Sequence, residues 1–87
     1  MIDANYIQRN ETKTSVFNPL KFDFVDEIRD DDNQIQKYTV PSFEIVDFPA
    51  YIAQRIIEDL IVAVMNEREI SPLNEEKKLE IRKEIEI

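Results

Sequence analysis

The chain has no glycine among its 87 residues, and this absence limits the turns that it can form. The tight two-residue turns that most often join antiparallel strands need positive φ angles, which glycine adopts without steric cost. A β-hairpin in this chain is therefore expected to have a longer loop. The same absence excludes the glycine-rich loops that cradle phosphate groups in nucleotide-binding proteins.

Alternation of apolar and polar residues predicts a first strand within residues 16–25. This period of two is typical of a strand with one buried face. Pro19 has no backbone donor, so it should lie at the start of the strand or on an unpaired edge. The apolar members are Leu20, Phe22 and Phe24, and Lys21 and Asp23 alternate with them.

A second strand is predicted at residues 35–40, where Pro41 ends it. The polar stretch before it, residues 29–34, is rich in turn-forming residues. A short extended piece over residues 43–46 follows. Together these segments predict a β-hairpin or small meander, which must pack on another element to be stable.

Apolar residues at three- and four-residue spacing predict one amphipathic helix, from about Pro49 to about Arg68. Asp47 can cap its first turn, and Pro49 lies where a missing backbone donor costs nothing. We expect the apolar stripe to pack on the apolar face of the first strand. The stripe consists of Ile52, Ala53, Ile56, Ile57, Leu60, Ala63 and Val64.

Two segments flank this hairpin-plus-helix domain, which spans residues 16–68. Residues 1–15 are expected to form an extended N-terminal arm. Residues 69–87 are strongly charged and fit neither period cleanly, and a short helix is favoured over a strand. Both segments have few apolar groups to offset the entropy of ordering, so we expect them to order on a partner. The predicted fold class is α+β.

Composition excludes several functions. Nineteen acidic residues against eleven basic ones give a net charge of -8, which argues against direct binding of nucleic acid or of an anionic membrane. The chain has neither Cys nor His, so it lacks thiolate chemistry and the commonest general base and transition-metal ligand. No membrane-spanning run or signal peptide is predicted, which favours the cytoplasm or a particle assembled there.

Other catalytic and metal-binding arrangements are also disfavoured. An EF-hand loop beginning at Asp30 needs Gly at its sixth position and Glu at its twelfth, but Ile35 and Pro41 stand there. A solvated turn is favoured over weak, unspecific cation binding. Glu58 and Asp59 should be solvated on the polar face of the helix. We therefore expect no enzymatic activity, no cofactor and no small-molecule substrate.

The chain has more large apolar residues than a hairpin and one helix can cover on one side, so some are expected to bind a neighbouring chain. The alternative is that the aromatic ones among them, Phe17, Phe43, Phe48 and Tyr51, belong to the core. The C-terminal segment is correspondingly either a solvated helix or one that docks in a partner's groove. The candidate contacts are Tyr6, Ile7, Phe17, Tyr51, Leu79, Ile81 and Ile85.

Three short motifs carry a resemblance to a known group of proteins. They are Phe-Asn-Pro at 17–19, Tyr-Thr-Val-Pro at 38–41 and Phe-Pro-Ala-Tyr-Ile-Ala at 48–53. In this order the chain resembles, over residues 16–68, small uncharacterised proteins encoded among the structural genes of tailed bacteriophages. The resemblance implies a role in the virion or its assembly, with the hairpin and helix docked on a larger capsid, neck or tail protein. It implies no catalytic residue.

The sequence therefore favours a non-enzymatic structural or interaction protein, a minor component of a virion or assembling particle. Its partner would be a larger virion protein or further copies of itself. The alternative is an acidic inhibitor that mimics DNA, of the anti-restriction or anti-CRISPR type. Residues 20–47 hold eight acids and three bases, a net of -5, whereas residues 48–68 hold three acids and two bases, a net of -1. This predicts one acidic hairpin rather than a duplex-like stripe. A small regulator or toxin-neutralising protein is a third interpretation.

Overall fold

The computed structural model describes residues 12–29 and 32–87. This part of the chain has an α+β fold, as predicted, with two antiparallel strand pairs and two helices. Strand β1 pairs with β4, and strand β2 pairs with β3. In chain order the elements are β1 (Lys13–Phe17), β2 (Phe24–Arg29), β3 (Ile35–Val40), β4 (Ile45–Pro49), α1 (Ala50–Glu67) and α2 (Glu75–Ile85).

The four strands form one long hairpin that is interrupted in the middle. Phe17 at the end of β1 lies opposite Ile45, and Phe24 at the start of β2 lies opposite Val40. Six residues of the first arm, 18–23, therefore face only four of the second, 41–44. We call these two segments the junction. Strand β2 ends at Arg29 and β3 begins at Ile35, so the connection is longer than a two-residue turn, as the absence of glycine predicts.

The prediction of one continuous strand within residues 16–25 is wrong. The chain leaves the sheet after Phe17 and enters β2 at Phe24. Leu20 is buried, but Phe22 is half exposed, so the alternation there does not mark one buried face. The boundary placed at residue 15 also needs correction, because β1 begins at Lys13 and its first three residues pair with β4.

Helix α1 lies where the periodicity predicts it. Its buried residues form the expected stripe and pack against β1, β2 and β4. The predicted cap is wrong, because Pro49 occupies the N-cap position without a side-chain hydrogen bond. Asp47 is instead paired within the sheet, where its carboxylate accepts a hydrogen bond from the Ser15 hydroxyl.

Helix α1 ends in a Schellman motif that lacks the usual glycine. The backbone N–H of Ile70 donates to the carbonyl of Met65 at 2.8 Å, and that of Glu69 donates to Asn66 at 3.2 Å. Glu69 has a φ angle of 57°, in the left-handed region that favours glycine. The chain therefore carries a non-glycine residue in a strained conformation at this turn.

The C-terminal segment is helical, as favoured, and belongs to the core. The Asn74 side chain caps α2 by accepting from the Lys77 N–H at 3.1 Å. Ile81 and Ile85 are buried, and α2 packs against α1 and β1. The assignment of these two isoleucines to partner contact is therefore corrected. Their i, i+4 spacing places both on one face of α2. This face provides the apolar cover that a hairpin and one helix were expected to lack.

After α2 the chain continues beside the sheet. Glu86 forms a bridge with Val16, and the Ile87 N–H donates to the carbonyl of Ser15 at 3.1 Å. Strand β1 consequently has β4 on one edge and the C-terminal residues on the other.

Candidate interaction surface

A single buried side chain organises the junction. Asn18 is fully buried, and its amide nitrogen donates to the carbonyl oxygens of Phe22 at 3.0 Å and Val40 at 2.8 Å. Its amide oxygen accepts from the backbone N–H of Leu20 at 2.8 Å. These bonds satisfy backbone groups that the interrupted ladder leaves without partners, which is the condition for burying polar groups at low cost.

Ser42 joins the arms at a second point. Its hydroxyl donates to the carbonyl of Leu20, and its backbone N–H donates to the carboxylate of Asp23 at 3.0 Å. Hydrogen bonds that involve side chains therefore connect the irregular segment of the first arm, residues 18–23, to the turn of the second arm. The junction is a defined element of structure, comparable to a large β-bulge.

The three motifs at 17–19, 38–41 and 48–53 lie close together at and beside this junction. Asn18 of the first motif bonds to Val40 of the second. Tyr38 of the second packs edge to face on Phe48 of the third, with ring centroids 5.8 Å apart and an interplanar angle of 84°. The motif residues therefore have structural roles in this chain.

Phe43 has the most unusual backbone in this region. It lies in a four-residue turn, closed by a 3.1 Å hydrogen bond from the Glu44 N–H to the Pro41 carbonyl. Its φ angle is 60°, a value that costs an L-residue roughly 1–2 kcal/mol and that glycine normally supplies at turns and bulges. Its side chain is nevertheless 60% exposed, so little burial within this chain offsets the strain.

Two apolar residues, the exposed Ile45 and the partly buried Phe17, lie on the strands next to this strained residue. Val16 and Phe48 of β1 and β4 are buried against the helices, so their neighbours along each strand point to the opposite side. Phe17 and Ile45 are therefore paired on the outward side, and Ile45 is 54% exposed. Phe43 adjoins them, because its N–H bonds to the carbonyl of the residue after Phe17. We call Phe17, Phe43 and Ile45 the apolar patch.

The structure does not gather the predicted contact residues into one surface. Phe17 belongs to the apolar patch, whereas Tyr51 is exposed in the first turn of α1, beyond the other end of β4. Leu79 is exposed on α2, on the side opposite the buried isoleucines. Tyr6 and Ile7 lie outside the described residues. The sequence prediction did not include Ile45. The alternation of residues along β4 was a usable signal, because it places Ile45 on the side opposite the buried Phe48.

Two carboxyl groups meet where the β2–β3 pair contacts α1. Asp26 lies on the inward side of β2, between Phe24 and Ile28, and its Oδ2 is buried without a hydrogen-bond partner. Burial, followed by the hydrogen bond and negative charge of Asp59, raises the pKa of Asp26 to about 7. Two ionised carboxylates have no proton to share, so the bond between them exists only when one is protonated.

Other groups around Asp26 act in the opposite direction. The backbone N–H of Glu27 and the charge of Arg55 both lower its pKa, but with smaller effects. Tyr38 lies directly across from Asp26 on β3. Asp59 is exposed on α1, as the sequence predicts. Its proximity to Asp26 could not be predicted, because it depends on how the helix packs against β2.

Across 12–29 and 32–87, no three His, Cys, Asp or Glu side chains gather in an arrangement that could hold a metal ion. No helix within these ranges combines the length and apolar character needed to cross a membrane. Comparisons with protein-family models, curated proteins and solved structures found no match.

Proposed function

We propose that this protein is a non-catalytic interaction component of a larger assembly and that the apolar patch is its main docking surface. The observation that carries the proposal is the strained and exposed conformation of Phe43. Residues held in left-handed conformations without a compensating gain in folding are concentrated at functional sites. A large aromatic side chain on such a turn is suited to anchor a partner.

The rest of the patch supports the same proposal. Phe17 and Ile45 are a cross-strand pair of the β1–β4 sheet, and the hydrogen-bonded junction lies beside them. Anchors that are already ordered lose little conformational entropy when they bind. An apolar surface on such a support favours a stable structural contact over a transient charged one.

The resemblance of the junction motifs to bacteriophage structural proteins supports a finer proposal. The partner is then a larger capsid, neck or tail protein, or further copies of this chain, and the protein is a minor component of the virion or of its assembly. The acidic inhibitor remains the alternative, because the net charge of -5 is concentrated in residues 20–47. That alternative docks through charges rather than through Phe43.

The experiment is affinity capture from the native source with the tagged full chain and two variants, followed by mass spectrometry. Phe43→Gly relieves the strained turn and removes the anchor, so it should fold and lose the partner. Leu79→Ala removes an exposed apolar side chain on α2 and should retain it. A particle protein held by the wild type at both low and high salt supports the proposal.

Three outcomes contradict it. If Phe43→Gly retains the partner, the apolar patch is not the docking surface. Loss of the partner in Leu79→Ala alone places docking on α2. Recovery of a nuclease that is released as salt rises supports the inhibitor, because screening weakens contacts between exposed charges.

A further inference from the structure

An open pocket of about 320 Å³ lies in the helical layer, away from the outward side of the sheet. This volume is at the lower end of the range for small-ligand sites, roughly 300–1,000 Å³. Val62 is 57% exposed at this surface, so the apolar walls are accessible to solvent. The pocket is lined by Val62, Ala63, Met65, Ile70 and Pro72, with Asp59 and Asn66 as the polar members.

The charged member of this lining faces a second carboxylate. Asp59 is the neighbour whose hydrogen bond and charge act on Asp26. Of the described cations, Arg55 acts on Asp26, and its effect is the smallest of those that set the pKa of that carboxyl. The Oδ2 atom of Asp26 has no donor. Once Asp26 is ionised, the two carboxylates at this end of the pocket outnumber Arg55, the cation that acts on Asp26 among the described residues.

We propose that this pocket binds an arginine side chain of a partner protein. The aliphatic stem would lie on Val62 and Ala63, and the guanidinium would lie beside Asp59. This site is separate from the apolar patch, and the inference does not depend on the proposed function.

The chemistry of the pocket favours this occupant over others. A neutral apolar group would cover the walls and leave the two carboxylates facing each other. A small inorganic cation would neutralise them and leave the walls exposed, and an anion would be repelled. Arginine combines an apolar stem with a weakly hydrated, planar cation that donates to carboxylates.

The test uses the full chain and n-butylguanidinium, which reproduces the arginine stem and head. Its titration is followed by amide NMR. Saturable shifts are expected at Val62, Ala63 and Ile70. The neutral isostere n-butylurea should bind at least about fivefold more weakly, since it lacks the charge-assisted hydrogen bonds.

A pH series tests the role of the carboxylate pair. Affinity for n-butylguanidinium should rise about three- to tenfold between pH 5.5 and 8, as Asp26 ionises; tenfold corresponds to a change of one pKa unit. Carboxyl NMR should show the midpoint of Asp26 moving down when the ligand is bound. The rise should disappear in Asp26→Asn and persist in Glu76→Gln, which removes an acid from the exposed first turn of α2.

Each of the following results overturns the inference. Equal binding of n-butylurea shows that charge is not recognised. Shifts that spread over acidic residues without saturating show unspecific counterion binding. An absence of shifts at the three pocket residues shows that the pocket does not accept the side chain.

Discussion

The side-chain amide of Asn18 donates a 2.8 Å hydrogen bond to the carbonyl oxygen of Val40, across the junction between the two arms of the hairpin. This bond and the two others made by the same amide replace ladder hydrogen bonds that the unequal arms do not form. The geometry of the outward surface, including the position of Phe43, therefore depends on one buried polar residue.

Asn18→Ala should lower the free energy of unfolding by roughly 2–4 kcal/mol, because it leaves buried backbone groups without partners. Urea denaturation followed by circular dichroism measures the loss. Asn74→Ala is the matched control and should cost only about 1 kcal/mol, since Asn74 is an exposed helix cap. Equal losses in the two variants would show that the junction amide has no special role.

Glu69→Gly should stabilise the protein by up to about 1 kcal/mol, because it relieves a left-handed conformation at a position where glycine is normal. Phe43→Gly should give a similar gain in thermal melting of the isolated protein. The two variants differ in the capture experiment, where Glu69→Gly should keep the partner. A fall in stability for Phe43→Gly would mean that the phenyl ring supports the fold.

Ile85→Ala should destabilise the protein by roughly 2–5 kcal/mol, as expected for a fully buried isoleucine. Leu79→Ala on the same helix should change stability by less than about 0.5 kcal/mol, because Leu79 is exposed. Chemical denaturation of both variants measures the difference. Similar small effects would indicate that α2 does not pack on the core in solution.

The pKa of Asp26 predicts how stability depends on pH. The carboxyl titrates at about 7 in the folded chain and near its ordinary value of 3.8 when unfolded. Between these values the folded state binds the extra proton, so stability should fall as pH rises from about 4 to 7 and then level off. Melting temperatures across this range measure the trend.

Asp26→Asn should flatten that dependence and raise stability at pH 8, because it removes a buried charge beside Asp59. Asp47→Asn is the control that should leave the trend in place, since Asp47 lies in the β1–β4 pair and has a hydrogen-bond donor of its own. A wild-type stability that rises from pH 4 to 7 would contradict the assigned pKa.

Local patterns in the sequence predicted much of the fold. The stripe of α1 repeats over five turns, and its bounds were predicted within two residues. The pairing of β1 with β4 was not predicted, because it joins residues such as Val16 and Val46 that are far apart in the chain. The break at residues 18–23 was hidden, since Phe22 keeps the alternation although its side chain is half exposed.

The candidate surfaces were less accessible to sequence reasoning. Phe17 was among the predicted contacts, but nothing in the residue type of Phe43 indicates a positive φ angle, which glycine normally signals. The pairing of Asp26 with Asp59 depends on the rotation of α1 against β2. Ile81 and Ile85 do carry a helical signal, and the surrounding charges of α2 obscured it.

The nested pairing of the strands has a kinetic consequence. The inner pair, β2 with β3, closes a short loop, whereas β1 and β4 must pair residues such as Val16 and Val46, which are 30 positions apart in the chain. Closing a long loop is slow unless an inner contact shortens it first. The inner hairpin is therefore expected to be the folding nucleus. Asn18 acts at the later step, in which β1 and β4 pair. Stopped-flow measurements on Asn18→Ala should show slower refolding, whereas Ile85→Ala should act mainly by faster unfolding.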